Sequence, residues 1–259
     1  MASLELKENA ARLALQCLDL TSLNDADTAE DIAALCRRAQ TPYGPVAAVC
    51  VWPRFVAQAR AALPAEIKVA AVANFPDGAL DLARALADVQ AIATAGGDEV
   101  DVVLPYRALM AGQRSECAEF LAEVRHASRP LTLKVIIESG ELKTPELIAD
   151  AARLALMAGA DFVKTSTGKT AVSATPLAAR HILSEIAGSG LVSAGFKASG
   201  GIRTVTDAQV YLELAADKLG AAALNPRRLR FGASGLLGDI EAVLSGTAAP
   251  ASTASTSSY

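Results

Sequence analysis

Aromatic residues make up only 4% of the 259-residue chain, with a single tryptophan. A core cannot then rest on a few large ring anchors and must be assembled from Ala, Val, Leu and Ile. Cysteine is sparse: Cys17, Cys36, Cys50 and Cys117 are scattered with no CxxC pair. The two histidines, His126 and His181, lie far apart in helix-like stretches, so zinc-ligand spacing is absent and no metal is expected. No run reaches the roughly 18 apolar residues of a membrane span. The N-terminal stretch carries Glu5, Lys7, Glu8 and Arg12, which does not suit the apolar centre of a signal peptide. Net charge is −4 with no basic cluster, which argues against nucleic acid or an anionic membrane as partner. A cytoplasmic protein with reduced thiols is the expectation.

What is abundant is hydrophobic residue, 52% of the chain, arranged in alternating short and long segments. Short apolar runs fall at 15–20, 46–52, 69–75, 99–104, 133–138, 162–166, 195–199 and 230–233. Between and after them lie amphipathic stretches at 28–40, 53–63, 80–95, 107–127, 145–158, 176–187, 205–219 and 236–244. The first set has strand length and the second helical spacing. Thr28, Thr144-Pro145 and Thr175-Pro176 read as helix starts, while Gly96, Gly159 and Gly220 read as helix ends. Eight such units with near-continuously apolar strands predict an α/β fold, a single (β/α)8 TIM barrel over 1–245. A short N-terminal helix and a flexible tail over 246–259, ending in Tyr259, complete the expected outline. An open doubly wound sheet is the alternative architecture.

The chain echoes itself. Ala95-Gly-Gly-Asp-Glu-Val-Asp101 and Ala158-Gly-Ala-Asp-Phe-Val-Lys164 both run from helix end through glycine and Asp to a charged strand residue. Asp101 and Lys164 should therefore lie at equivalent depth on two even strands and face each other inside the barrel. A buried lysine is costly to keep charged, and an unprotonated amine can attack a carbonyl to form an imine. Lys197, in Gly195-Phe-Lys-Ala-Ser-Gly-Gly201, lies on the neighbouring strand. Lys164 is assigned as nucleophile and Lys197 as its modulator, although the residues alone permit the reverse, and Asp101 as proton relay. A purely structural Lys–Asp pair would explain one lysine; it does not explain two with an acid on three strands. Glycine-bearing loops follow three consecutive strands: Thr167-Gly168-Lys169, Gly200-Gly201-Ile202-Arg203 and Gly232-Ala-Ser234-Gly235. Each alone could be a plain turn. Together they suit a phosphate.

The runs Asp98-Glu-Val-Asp-Val-Val-Leu-Pro-Tyr-Arg-Ala-Leu-Met110, Lys134-Val-Ile-Ile-Glu-Ser-Gly-Glu-Leu142, Phe162-Val-Lys-Thr-Ser-Thr-Gly-Lys169 and Gly195-Phe-Lys-Ala-Ser-Gly-Gly-Ile-Arg203 closely resemble the 2-deoxyribose-5-phosphate aldolases, from about Leu18 to the last residue. The resemblance implies class I aldolase chemistry. 2-Deoxyribose 5-phosphate would be cleaved reversibly to glyceraldehyde 3-phosphate and acetaldehyde, in deoxyribonucleoside catabolism, with no cofactor. It makes Lys164 the Schiff-base lysine, Lys197 the second lysine that perturbs it, and Asp101 the relay acid. It places Cys50 near the site without a nucleophilic role, and Asp19, Leu20 and Thr21 along the substrate pocket. The Ser, Thr and Ala content of 246–258 reads as a mobile end, yet some family members use a C-terminal tyrosine to move the C2 proton, which gives Tyr259 the same implied role. Gly235 departs from the family pattern, where many relatives carry a second hydroxyl residue, so phosphate should be held less tightly. Small phosphosugars and aldehydes are the expected partners, and a homodimer is among the assemblies the sequence allows. The rival readings are another lysine-dependent aldolase or transaldolase, and a phosphosugar-binding barrel without chemistry.

Overall fold

A computed structural model describes residues 2–247 of the chain. Eight parallel strands close into a barrel in chain order: β1 (Leu18–Thr21), β2 (Ala48–Val51), β3 (Lys68–Ala73), β4 (Glu99–Val103), β5 (Thr132–Ile136), β6 (Phe162–Lys164), β7 (Gly195–Ser199) and β8 (Leu229–Ala233), with β1 paired to β8. The expected closed barrel is thus present, and the open sheet is excluded. Among the described residues no helix is long and apolar enough to cross a membrane. The tail from 248 onward, Tyr259 included, lies outside the described residues.

Helix starts follow the local chemistry. The Thr28 hydroxyl accepts from the Asp31 amide while Asp31 accepts in return from the Thr28 amide, a reciprocal cap. Thr144 and Thr175 cap helices with proline in the first turn. The repeated Gly-x-Asp also has a physical account. Asp98 Oδ2 accepts from the Val69 amide at 2.9 Å and from Arg60 at 2.8 Å. Asp161 Oδ2 does the same with the Leu133 amide at 2.8 Å and Arg125 at 2.9 Å. Each aspartate ties the start of the preceding strand to a helix that packs outside it.

Most boundaries shift by a residue or two from the expectation, and three of the differences have a clear local cause. Leu15 belongs to the helix Ala2–Gln16, whose buried Ala11, Ala14 and Leu15 pack it against the last two helices, so the first strand begins only at Leu18. The stretch 107–127 is two helices, Tyr106–Met110 and Arg114–Ala127, because Gly112 takes a left-handed φ of 86° that ends the first. The fifth run stops at Ile136 rather than 138, because Glu138 itself has φ 52° and leaves the ladder.

Strand alternation splits the apolar residues into two groups. Val49, Val51, Val69, Ala71, Val100, Val102, Leu133 and Val135 face the helices in one large core. Cys50, Ala70 and Val72, with Leu23, form a separate small cluster on the inner wall at β2 and β3. The inner wall of the other strands carries the buried charges, with Phe162, Ser199 and Gly232 among them.

Gly195 marks a tight point of this packing. A Cβ there would fall against the Phe162 ring and 2.9 Å from the Arg228 carbonyl oxygen. Gly195→Ala should therefore lower the unfolding free energy by roughly 1–3 kcal/mol in a urea titration, and an unchanged midpoint would contradict this packing.

Candidate active site

Inward-facing positions on six strands carry Asp19, Glu99, Asp101, Lys134, Lys164, Lys197 and Arg230, each 5% exposed or less. Register brings the cations together: Lys164 is the direct Cα partner of Lys197, and Lys197 of Arg230. A row of like charges on adjacent strands repels itself, so acids from β1 and β4 must reach across. They do. Asp101 Oδ2 accepts from Lys164 Nζ at 2.8 Å and from Lys197 Nζ at 2.7 Å. Its other oxygen accepts from Lys134 Nζ at 2.7 Å. Lys134 also contacts Glu99 at 2.6 Å, and Arg230 bonds Asp19 at 2.6 Å and Glu99 at 2.8 Å. Asp19 Oδ2 closes the lattice on Lys197.

Burial alone would push the Asp19 and Asp101 carboxyls up. The neighbouring cations outweigh it and hold both below the ordinary carboxylate range: Lys197, Arg230 and Lys134 for Asp19, and Lys134, Lys164 and Lys197 for Asp101. Burial works against the Lys134 ammonium too, but Asp101, Glu99 and Asp19 raise it above the usual lysine value. Burial, with Asp101 nearby, pushes the Cys50 thiol up, so at neutral pH it is no thiolate.

The expected residues divide. Lys164, Lys197 and Asp101 meet as one hydrogen-bonded group. Asp19 joins them, with both carboxylate oxygens engaged inside the ion lattice. Leu20 packs in the strand–helix core, on the opposite side from Asp19 as alternation requires, and its side chain is thereby turned away from the interior. Thr21 is buried with its hydroxyl on the Asp19 carbonyl at 2.8 Å. Thr167 directs both its amide and its hydroxyl to Glu138. Gly168, Gly200 and Gly201 all have left-handed φ, near 80°, and Lys169 Nζ has no partner among the described residues. Ile202 is a core residue and Arg203 is exposed. Gly232 has a packing reason as well: a Cβ would lie 3.1 Å from Lys197 Cε and 2.6 Å from Ser199 Oγ. Ser234 and Gly235 lead into the helix Leu236–Ser245. Among the described residues no cluster could hold a metal ion.

Four residues escaped the sequence reading as site members: Glu99, Lys134, Arg230 and Glu138. The period-2 placement of Glu99 with Asp101 was a usable signal, since both fall on one face of an otherwise apolar strand. Lys134 stands alone among apolar neighbours in the same way, whereas Arg230 is masked by Arg227 and Arg228 just before it. The hydroxyls of Ser139 and Ser166, like Arg84 Nε, are buried without hydrogen-bond partners among the described residues, a state that calls for a water, an ion or a ligand to pair with them, or for strain.

Buried amines sharing one carboxylate inside a (β/α)8 barrel are the equipment of an enzyme acting on carbonyl compounds. The chain belongs to the DeoC/LacD family of aldolases, whose family model matches residues 13–238. It is 50% identical over 246 residues to a deoxyribose-phosphate aldolase of Agrobacterium fabrum, covering 94% of this chain and 95% of that one. Among solved structures it resembles a Toxoplasma gondii protein assigned as a deoxyribose-phosphate aldolase, with TM-score 0.86, 25% identity, and 95% and 97% of the two chains covered. It also resembles the deoxyribose phosphate aldolase of Aeropyrum pernix, described as tetrameric, with TM-score 0.72, 25% identity, and 92% and 95% covered.

The lattice gives stability a defined pH window. Asp19 is held below its unfolded value of about 3.9, so its contribution is present above that pH and is lost as pH falls towards the folded value. Lys134 is raised, so its contribution is present below about pH 10.4 and fades above. The stability gap between the parent and Asp19→Asn, measured by urea unfolding, should stay level from about pH 5 to 9 and shrink below about pH 4. A gap that grows in acid would refute the ion pairing.

Proposed function

We propose that the protein catalyses the reversible cleavage of 2-deoxyribose 5-phosphate to glyceraldehyde 3-phosphate and acetaldehyde through an imine on Lys164. The observation that carries the residue assignment is the shared oxygen, Asp101 Oδ2, bridging Lys164 at 2.8 Å and Lys197 at 2.7 Å. Three buried carboxylates face four buried cations in the lattice, and three acids hold Lys134 as an ammonium, which leaves Lys164 and Lys197 as the two amines that share one oxygen of Asp101.

Lys164 Nζ adds to the C1 aldehyde of the open-chain sugar, and water leaves to give a protonated imine. Asp101, through water, accepts the C3 hydroxyl proton. The C2–C3 electron pair then moves into the imine, releasing glyceraldehyde 3-phosphate and leaving an enamine. Protonation at C2, by Tyr259 in this reading, and hydrolysis free acetaldehyde and the amine. The protonated imine is the electron sink. Gly168, Lys169, Gly200, Gly201, Arg203, Ser234 and Gly235 receive the phosphate, with backbone amides at the start of the last helix adding a favourable dipole. A cytoplasmic setting, in keeping with four free cysteines, and assembly as a homodimer belong to the same reading; light scattering tests the latter.

Borohydride added with substrate should leave a reduced adduct on Lys164, read by peptide mass, and an adduct elsewhere would overturn the assignment. Lys164→Leu should abolish turnover, a loss of at least about 10⁴-fold in kcat, while its circular dichroism is unchanged. Truncation before Tyr259 should slow C2 proton exchange in acetaldehyde more than it weakens phosphate binding; unchanged exchange would remove that residue from the scheme.

A further inference from the structure

Glu138 is fully buried, has a left-handed φ of 52°, and takes no part in the ion lattice. A non-glycine residue in that conformation is strained, and such strain persists only where surrounding contacts enforce it. The enforcing contacts all lie on one loop. The Glu138 carboxylate accepts from the Thr167 amide at 3.2 and 3.3 Å, from the Thr167 hydroxyl, and from the Thr170 hydroxyl at 3.3 Å. Burial pushes its carboxyl up, and the hydrogen bonds from Thr167 and Thr170 oppose this. The backbone reinforces the junction. The Ser139 amide donates to the Thr165 carbonyl at 2.9 Å. A Cβ on Gly140 would collide with the Val172 carbonyl, so the two loops touch main chain to main chain. On its far side the same loop meets the next one, where a Cβ on Gly200 would come 2.6 Å from Ser173 and 3.3 Å from Gly168.

We propose that Glu138 is a positioning residue that fixes the loop 165–170 in the shape that reads the anionic end of the substrate, and so sets the preference for phosphorylated over unphosphorylated sugars. This rests on the reading of that loop as part of the phosphate cradle. The carboxylate occupies the inner donors of the loop. With Thr167 held from behind, Gly168 and Lys169 are directed by a rigid base. An ionised acid near a phosphate site would ordinarily weaken anion binding. Here its charge is spent chiefly on the two buried donors of Thr167, with the half-buried Thr170 hydroxyl beside them, and it acts on phosphate only through the loop it shapes.

The test compares kcat and KM for 2-deoxyribose 5-phosphate and for 2-deoxyribose in the parent, Glu138→Gln and Glu138→Gly. Glycine relieves the backbone strain and deletes the acceptor, so a role confined to backbone shape would leave Glu138→Gly at or above parental activity. Positioning predicts instead a loss of about 10- to 100-fold in kcat/KM for the phosphorylated sugar, chiefly in KM, with less than about threefold change for the unphosphorylated one. Glu138→Gln, which keeps one acceptor oxygen, should recover part of that loss. An equal loss on both sugars, or a loss confined to kcat, overturns the proposal in favour of a role in the chemistry itself. If the glycine variant does not fold, the glutamine variant carries the same comparison; if neither folds, the acid serves the fold and the proposal fails. Borohydride trapping of both sugars on the parent enzyme is run alongside. The decisive adduct is the one with 2-deoxyribose 5-phosphate: its absence on the parent enzyme sinks the aldolase reading, whereas a normal adduct with unaltered sugar preference in both variants sinks only the role of Glu138.

Discussion

The carboxylate of Asp101 is the contact on which the interior depends. It accepts from lysines on three successive strands, β5, β6 and β7, and among the described residues no other group does so. Parallel register leaves little choice. Lys164, Lys197 and Arg230 are consecutive Cα partners, and such a row of buried cations would be driven apart without acids reaching from across the barrel. Asp101 supplies one arm, and Asp19 and Glu99 supply the others. Taking these charges out of water costs several kcal/mol per ion, and only close, multiply bonded geometry offsets it. The same geometry that makes the lattice tolerable places two amines against one oxygen, where proton transfer between them needs no movement of the backbone.

The interior is also lopsided. On β2 and β3 the inner wall is Cys50, Ala70 and Val72, small and uncharged, and the lattice lies on the other strands. In many barrels of this class the interior is filled by branched hydrocarbon layers. Replacing part of that filling with ions makes neighbouring low-dielectric surface strengthen every charge interaction beside it. The Cys50 thiol registers this: burial and Asp101 push it up despite three lysines nearby that pull the other way.

Much of this was legible in the chain. Strand and helix alternation located all eight units because a parallel barrel buries both faces of its strands, and that produces short apolar runs with little ambiguity. The repeated Gly-x-Asp located Asp101 and Lys164 at one depth because the repeat is a structural joint: Asp98 and Asp161 each bind the amide that opens the preceding strand. What stayed hidden depended on closure. Glu99, Lys134 and Arg230 are charges within strands whose partners cannot be read until the sheet curls and brings β4, β5 and β8 within reach of one another. Glu138 was hidden for a different reason. Its role follows from a left-handed backbone and from hydroxyls 29 to 32 residues away, and no local pattern announces either. Leu20 shows the converse limit, since proximity along β1 to Asp19 says nothing about facing, which alternation reverses at each step.

The lattice also determines what it would take to turn this interior into hydrocarbon. Buried ion groups can often be exchanged for well-packed apolar residues with no loss of stability, and sometimes with a gain. Such an exchange here would have to remove the cations and acids together, because deleting one alone strands its partners. Any partial step therefore costs stability and, on the mechanism proposed above, the chemistry assigned to Lys164 and Asp101. A full step would keep the barrel and remove the groups that mechanism needs, because the same few contacts hold the ions and bring the two amines to one oxygen.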